Sequence, residues 1–162
     1  MQVEQLMTRE VKVCTDADTL NRAAELMWEF DCGCIPVISG NGTGGIVGIV
    51  TDRDIAMAAY TQGKQLWAIP VATAMAHNVI ACHASDGISQ VEALMRDNRV
   101  RRLPVLDQNE HVVGIVSLND IARQAQREAA VGRRAEVTGE AVLETLVSVC
   151  QPRASREIIM AA

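Results

Sequence analysis

Apolar residues recur along this chain with two spacings, and each spacing predicts one kind of secondary structure. Short apolar runs, typical of buried β-strands, lie at residues 11–14, 34–39 and 46–50, and again at 79–82, 103–107 and 111–116. Between the first and second run of each set, apolar residues recur every three or four positions, as on the buried face of a helix. These residues are Leu20, Ala23, Met27 and Phe30 in the first set, and Ile88, Val91 and Met95 in the second.

The remaining signals complete the order of elements. The second and third run of each set flank a turn, which predicts a β-hairpin. Asp18 and Asp86 precede the two predicted helices and are placed to cap them. A second helix is predicted after each hairpin, from about Asp52 and from about Leu118. The order strand, helix, strand, strand, helix is therefore predicted twice.

The two sets are copies of one repeat. A shift of 68 residues places Met7 on Met75 and Cys14 on Cys82, and the shift falls to 66 once GIVTDRDIA (48–56) meets GIVSLNDIA (114–122). The lost residues fall in the glycine-rich turn at 39–45, and a length change confined to a loop is expected of a structural repeat. We place the copies at residues 3–63 and 71–128, with a C-terminal extension at 129–162.

One copy alone leaves its sheet face and its helix stripes only partly covered. The sequence therefore predicts an α/β fold in which two βαββα repeats stack about a pseudo-two-fold axis and bury these faces against each other. This arrangement is expected to place the two turns at the starts of the second helices on equivalent rims of one central cleft.

Three interpretations compete for these turns, Thr51-Asp52-Arg53-Asp54 and Ser117-Leu118-Asn119-Asp120. Ser/Thr-x-x-Asp before an apolar helix is typical of a capping box. The pair Asp52 and Asp54 is also typical of carboxylates that hold magnesium or form an aspartyl-phosphate. The second copy carries Leu118 at the position of Asp52 and does not reproduce this pair.

Ligand binding is the third interpretation, and it uses what both copies share. A helix N-terminus offers free amide donors and a positive dipole end to a phosphate. The hydroxyl of Thr51 or Ser117 would donate to that anion, while Asp54 or Asp120 would accept from the hydroxyls of a ribose. Arg53 would add positive charge where the second copy has neutral Asn119.

The doubled pattern Gly-apolar-apolar-Thr/Ser-x-x-Asp, with IPV or LPV before each copy, resembles a tandem pair of cystathionine-β-synthase (CBS) domains, the Bateman module. The resemblance covers residues 3 to about 125. It implies a βαββα repeat fold, frequent pairing into a disc-like dimer, and a cleft that binds AMP, ADP or ATP, and in some members S-adenosylmethionine or NADH.

The resemblance also implies site residues. The hydroxyl and the ribose-binding acid fall on Thr51 and Asp54 and on Ser117 and Asp120. Ile35 and Leu103, beside the prolines, match positions that flank the base. Such a site is often composite, with the acid from one repeat and strand contacts from the other.

Charge distinguishes the two copies. Arg101 and Arg102 stand where the first copy has Gly33 and Cys34. Strand alternation sends neighbouring side chains to opposite faces, so the two are not expected to have the same role. One of them is a candidate to reach a phosphate, and the alternative is a solvated charge near a helix end. We therefore expect two similar sites with unequal charge, and one strong nucleotide site.

The C-terminal extension carries its own helix signal. Leu143, Leu146, Val147 and Cys150 follow helical spacing, with Thr138 placed to cap the helix and Pro152 to stop it. A short amphipathic helix most often packs by its apolar stripe on its own domain, and docking of a second copy or another partner is the alternative.

Composition narrows the function classes. A formal net charge of −5 and only four aromatic residues argue against a nucleic-acid surface. The polar N-terminus and the lack of a long apolar run predict a cytoplasmic protein without a membrane segment. Five cysteines are expected to be reduced thiols, and Cys32-Gly33-Cys34 alone is a weak zinc signal.

These observations predict a non-catalytic regulatory module that binds an adenine nucleotide between its repeats. It would act as a homodimer, with a separate regulated protein as a further partner and no metal. The alternatives are a structural dimerisation module whose turns only cap helices, or a sensor of S-adenosylmethionine or NADH.

Overall fold

The computed structural model describes residues 1–41, 44–131 and 135–151, and the predicted order of elements is confirmed in both copies. The first unit contains β1 (Cys14–Thr15), α1 (Leu20–Glu29), β2 (Cys34–Ile38), β3 (Ile46–Thr51) and α2 (Asp52–Gln62). The second unit contains β4 (Cys82–His83), α3 (Ile88–Asn98), β5 (Arg102–Leu106), β6 (Val112–Ser117) and α4 (Leu118–Val131). A final helix, α5, spans Gly139–Cys150.

Each unit is built on one three-stranded sheet, in the order β1-β2-β3 or β4-β5-β6. The first two strands of each sheet are parallel and the last two form an antiparallel hairpin. Thr51 at the end of β3 pairs with Cys34, and Ser117 at the end of β6 pairs with Arg102. The register therefore sets each capping turn beside the first residue of the neighbouring strand.

The segments that lead into the two units are exchanged between them. Val3 and Met7 belong to the hydrophobic core of the second unit, whereas Val71 and Met75 belong to the core of the first. The exchange is reciprocal, because backbone bridges join Thr8 to Ile115 and Ala76 to Ile49. The equivalent residues Gly45 and His111 form a bridge with each other. These paired contacts follow the predicted pseudo-two-fold relation.

Two glycines accommodate the exchanged segments. A Cβ atom on Gly48 or on Gly114 would lie inside van der Waals contact of the Met75 or the Met7 side chain, respectively. The absent side chains let each methionine lie flat on the hairpin of the other unit, so the glycines of the repeated GIV motif have a packing role.

Three local predictions were wrong. The strands predicted at 11–14 and 79–82 begin only at Cys14 and Cys82, because residues 11–13 and 79–81 do not join the ladders. Helix α1 ends at Glu29, so Phe30 is its C-cap, and its side chain is 48% exposed rather than part of the buried face. Asp18 and Asp86 accept from the backbone N–H groups of Thr15 (2.7 Å) and His83 (2.8 Å) and close a turn, while Thr19 and Gly87 occupy the N-cap positions.

The C-terminal helix packs against α3 and α4, and Thr138 caps it as predicted, accepting from the N–H of Ala141 at 3.2 Å. The face that packs carries Val142, Thr145 and Val149, not the predicted stripe. Leu143, Leu146, Val147 and Cys150 are exposed, which corrects the expectation that they cover the chain's own domain. Pro152 lies outside the described residues. Among those residues, no helix combines the length and apolarity needed to cross a bilayer.

Candidate functional site

A cleft of about 310 Å³ lies between the two units and takes its walls from both. The first unit contributes residues 8–12, without Arg9, and residues 30–34. The second unit contributes Arg102, Ile115, Ser117, Asn119, Asp120 and Arg123. The cleft is thus composite, with a capping acid from one repeat facing backbone segments of the other.

The capping turn of the second unit holds its acid in a fixed position on this cleft. The backbone N–H and the hydroxyl of Ser117 donate to Asp120 Oδ2 at 2.8 and 2.6 Å, and the N–H of Asp120 donates to Ser117 Oγ at 3.3 Å. The other carboxylate oxygen, Oδ1, pairs with the guanidinium of Arg123, whose side chain is 62% exposed. The capping box therefore uses Oδ2 of Asp120, whereas Oδ1 pairs with the Arg123 side chain, which a ligand could replace.

The first unit repeats the same box. The backbone N–H and the hydroxyl of Thr51 donate to Asp54 Oδ2 at 2.9 and 2.6 Å, and the N–H of Asp54 donates back to Thr51 Oγ1 at 3.2 Å. The capping interpretation is therefore confirmed in both copies. Thr51, Arg53 and Asp54 are not among the residues that line this cleft, which takes its capping turn from the second unit.

The two neighbouring arginines differ in position, since Arg102 is the first residue of β5 and Arg101 precedes the strand. Arg102 lines the cleft, whereas Arg101 is exposed and lies outside it. A Cβ atom on Gly33 would lie 3.5 Å from Arg102 Nη2 and 3.2 Å from Asp52 Oδ2. The bare backbone at Gly33 thus leaves room for the guanidinium between the units.

Charged and aromatic groups line the mouth of the cleft. Lys12 places its ammonium 4.4 Å from the centre of the Phe30 ring, which is a cation–π contact. The positive groups Lys12, Arg102 and Arg123 are matched in number by Glu10, Asp31 and Asp120. Sequence reasoning missed Lys12 and Phe30, because their side chains reach the cleft only through the placement of one repeat against the other.

Ile35 and Leu103 do not line the cleft. Their side chains are 1% and 0% exposed and pack into the first and second hydrophobic cores, respectively. Both lie in the central strand of their sheet, opposite Val50 and Val116, and these pairs point into the cores. The adjacent segment 30–34 takes the place on the cleft wall that the sequence assigned to Ile35.

Cys32 and Cys34 both line the cleft as free thiols. Burial raises the pKa of Cys34 to about 11 and also raises the pKa of Cys32, although the charge of Arg102 opposes both shifts. Both therefore stay protonated at neutral pH and are poor nucleophiles and metal ligands. Within the described part of the chain, no three His, Cys, Asp or Glu side chains are grouped as a metal site would require.

Comparison with known proteins agrees with the repeat. The family model of the CBS domain matches residues 3–60 and 71–127. A CBS domain-containing protein of Bacillus subtilis, YhcV, is 35% identical over 129 residues, which are 79% of this chain and 89% of that protein. A homoserine O-acetyltransferase of Methanocorpusculum labreanum is 35% identical over 72% of this chain, but the match covers only 23% of the enzyme.

Solved structures show the same architecture. The CBS domain pair of protein MJ0100, in complex with 5′-methylthioadenosine and S-adenosyl-L-methionine, has a TM-score of 0.70 and 25% identity. That similarity covers 79% of this chain and 98% of the other.

Proposed function

This chain belongs to the CBS-domain family and carries two CBS domains in tandem, and from that premise we propose that it is a non-catalytic regulatory module binding an adenine nucleotide, AMP, ADP or ATP. The single observation that carries the proposal is the composite cleft, in which the acid and hydroxyl of one repeat face segments 8–12 and 30–34 of the other. The ligand seen with the MJ0100 domain pair is of the same adenosine class.

The ribose is assigned to Asp120. Its Oδ2 is held by the capping box, so the carboxylate keeps its orientation whether or not a ligand is present. Within the described chain, its Oδ1 pairs with Arg123, whose side chain is 62% exposed, while the side chain of Asp120 is 11% exposed. Two ribose hydroxyls that replace the Arg123 guanidinium would each gain a charge-assisted hydrogen bond to this carboxylate.

The phosphates are assigned to the positive groups of the same cleft. Arg102 reaches it from β5, Lys12 from the segment before β1, and the N-terminus of α4 adds its positive dipole end. The half-exposed Phe30 ring offers an apolar surface to the base. A volume of about 310 Å³ is at the lower end of ligand pockets and fits one small ligand.

A ligand in this cleft can transmit a signal because both repeats contribute to the cleft walls. A ligand that contacts both repeats stabilises the arrangement in which those walls are correctly spaced, and it shifts the population toward that arrangement. Couplings of this kind are typically about 1–3 kcal/mol. The read-out is a changed relation of the repeats that a separate protein, or a second copy of this chain, detects.

Thermal unfolding of the full chain with AMP, ADP, ATP, S-adenosylmethionine and NADH in parallel tests the proposal. A ligand present at 100 times its dissociation constant adds roughly 2.7 kcal/mol to the free energy of unfolding. We expect the largest shift with one of the adenine nucleotides. A larger shift with S-adenosylmethionine or NADH favours that sensor instead, and no shift with any of the five favours the structural dimerisation module.

The homodimer, the separate regulated partner and the cytoplasmic location remain predictions from the sequence.

A further inference from the structure

Asp52, the first residue of α2, brings a negative charge to the edge of the cleft. It is not among the residues that line the cleft, but its Oδ2 lies beside Gly33, which lines it. A Cβ atom on Gly33 would lie 3.2 Å from Asp52 Oδ2 and 3.5 Å from Arg102 Nη2. The sum of these two distances, about 6.7 Å, is the largest separation that the two charged atoms can have. A carboxylate of the first unit therefore lies close to the arginine that the second unit extends into the cleft.

The two charged groups are neighbours, although they form no direct ion pair within the described part of the chain. Asp52 Oδ1 accepts from the N–H of Arg53 at 2.7 Å, and Oδ2 is the oxygen beside Gly33. Both charges also act on the Cys34 thiol. Burial is the main cause of its raised pKa of about 11, while the charge of Arg102 lowers that pKa and the charge of Asp52 raises it. Asp52 is thus a counter-ion of Arg102 across the boundary between the units.

The repeat carries these charges at one of two equivalent places. The 66-residue shift places Leu118 on Asp52, and the 68-residue shift places Arg102 on Cys34. Leu118 and Cys34 are both uncharged, and each is 5% exposed. Helix α4 begins with Leu118 and still has the same capping box as α2. The capping box therefore does not need an acid at the first position of the helix.

The charge balance and the size of the cleft both favour a ligand with few phosphates. The three positive side chains of the lining are matched by three negative ones, and Asp52 places a further negative charge beside Arg102. A single phosphate can pair with Arg102, whereas each further phosphate adds negative charge that no excess of lining cations neutralises. The volume of about 310 Å³ is also at the lower end of ligand pockets.

We propose that Asp52 is a specificity-determining residue, whose charge makes the cleft accept a nucleoside monophosphate in preference to the triphosphate. This proposal rests on the proposed function, since it concerns the ligand of the same cleft. Asp52 partly neutralises Arg102 and repels the phosphates beyond the first. A repulsive group of this kind gives specificity because it lowers the affinity for the competing ligand more than the affinity for the preferred one.

Titration calorimetry of the full chain with adenosine, AMP and ATP, in buffer with EDTA, tests the proposal. The wild type is expected to bind AMP more tightly than ATP. Asp52→Asn keeps an oxygen acceptor for the N–H of Arg53 but removes the charge. The affinity for ATP relative to AMP is therefore expected to rise by about two- to fivefold, the size of an interaction between exposed charges. Adenosine, which has no phosphate, is expected to bind both chains alike, and Asp52→Glu is expected to keep the preference for AMP.

Glu140→Gln is the matched control. It removes the same charge from another exposed acid in the first turn of a helix, α5, outside the cleft lining. This variant is expected to leave the ratio of the ATP and AMP affinities unchanged.

Several outcomes overturn the proposal and leave the proposed function standing. These are a wild type that prefers ATP to AMP, an unchanged affinity ratio in Asp52→Asn, and an equal rise of the ratio in Glu140→Gln. A repeat with magnesium in place of EDTA adds a further one, because a weaker binding of ATP by Asp52→Asn in magnesium alone would show that Asp52 holds the cation. If no chain binds any of the three ligands, the proposed function itself is overturned, and this proposal with it.

Discussion

At the scale of single residues, Asp54 and Asp120 hold the same hydrogen bonds, and Asp120 is the one that lines the cleft of about 310 Å³ between the units. Each uses one carboxylate oxygen for the helix cap. A structural role and a binding role are therefore compatible in one side chain, and the capping box predicted from the sequence does not exclude a ribose contact. The first copy offers an internal control, since its acid caps a helix without lining the cleft.

Arg102→Gln is predicted to weaken nucleotide binding by about tenfold or more, since a hydrogen bond to a charged group is typically worth about 1.5–3 kcal/mol. Arg101→Gln removes the same charge from an exposed neighbour outside the cleft and should leave the affinity unchanged. Titration calorimetry of both variants makes the comparison. Equal losses in the two variants would indicate a long-range effect of charge and contradict a direct contact.

Glu92 is buried beneath α5 at 5% exposure, and its Oε1 has no hydrogen-bond partner among the described residues. Burial raises the pKa of this carboxyl above 4.5; the charge of Arg96 opposes the shift and that of Glu144 adds to it. The folded chain therefore binds this proton more tightly than the unfolded chain. The stability that the proton confers is lost as the pH rises from 4.5 through the raised pKa of the folded state.

Glu92→Gln is accordingly predicted to raise the free energy of unfolding at neutral pH by about 1–2 kcal/mol, the cost of a buried unsatisfied group. The gain should shrink as the pH falls toward 4.5, because the wild-type carboxyl is then protonated as well. Urea unfolding across this pH range measures the difference, with exposed Glu140→Gln as the control. A gain that is independent of pH would show that charge burial is not its cause.

At the scale of elements, the sequence predicted the features that depend on residues close together in the chain. The hairpins, the capped helices and their order follow from apolar spacing and turn residues within a few positions. The buried face of α5 was missed, because its polar Thr145 is stabilised there by a hydrogen bond to Arg96, 49 residues away in sequence. The exchange of the lead segments was missed for the same reason, since Val3 and Met7 pack against the distant repeat.

Met7→Ala and Met75→Ala provide a reciprocal test of this exchange. Each removes a buried methionine, which typically costs about 2–5 kcal/mol. Hydrogen exchange is predicted to accelerate mainly in β5 and β6 for Met7→Ala, and mainly in β2 and β3 for Met75→Ala, because each side chain lies over the hairpin of the other unit. If hydrogen exchange instead accelerates in the sequence repeat that contains the substituted methionine, the packing of each lead segment on the other unit is contradicted.

At the scale of the whole molecule, the two repeats share the same elements and strand order but carry different side chains at equivalent positions. The sequence identified Ser117, Asn119 and Asp120, since the repeated motif marks them. It could not identify Lys12 and Phe30 as their neighbours, because only the stacking of the repeats brings residues 87 to 108 positions apart in sequence together at one cleft. The sequence shows a positive Arg102 where the first copy has a neutral Cys34, and both side chains line this one cleft.

Titration calorimetry of the wild type, Asp120→Asn and Asp54→Asn with the best-stabilising nucleotide tests the central claim most directly. We predict one strong site per chain, a loss of at least about tenfold in affinity (about 1.4 kcal/mol) for Asp120→Asn, and wild-type affinity for Asp54→Asn. Two equal sites per chain, or a loss confined to Asp54→Asn, would contradict a single composite cleft built around Asp120.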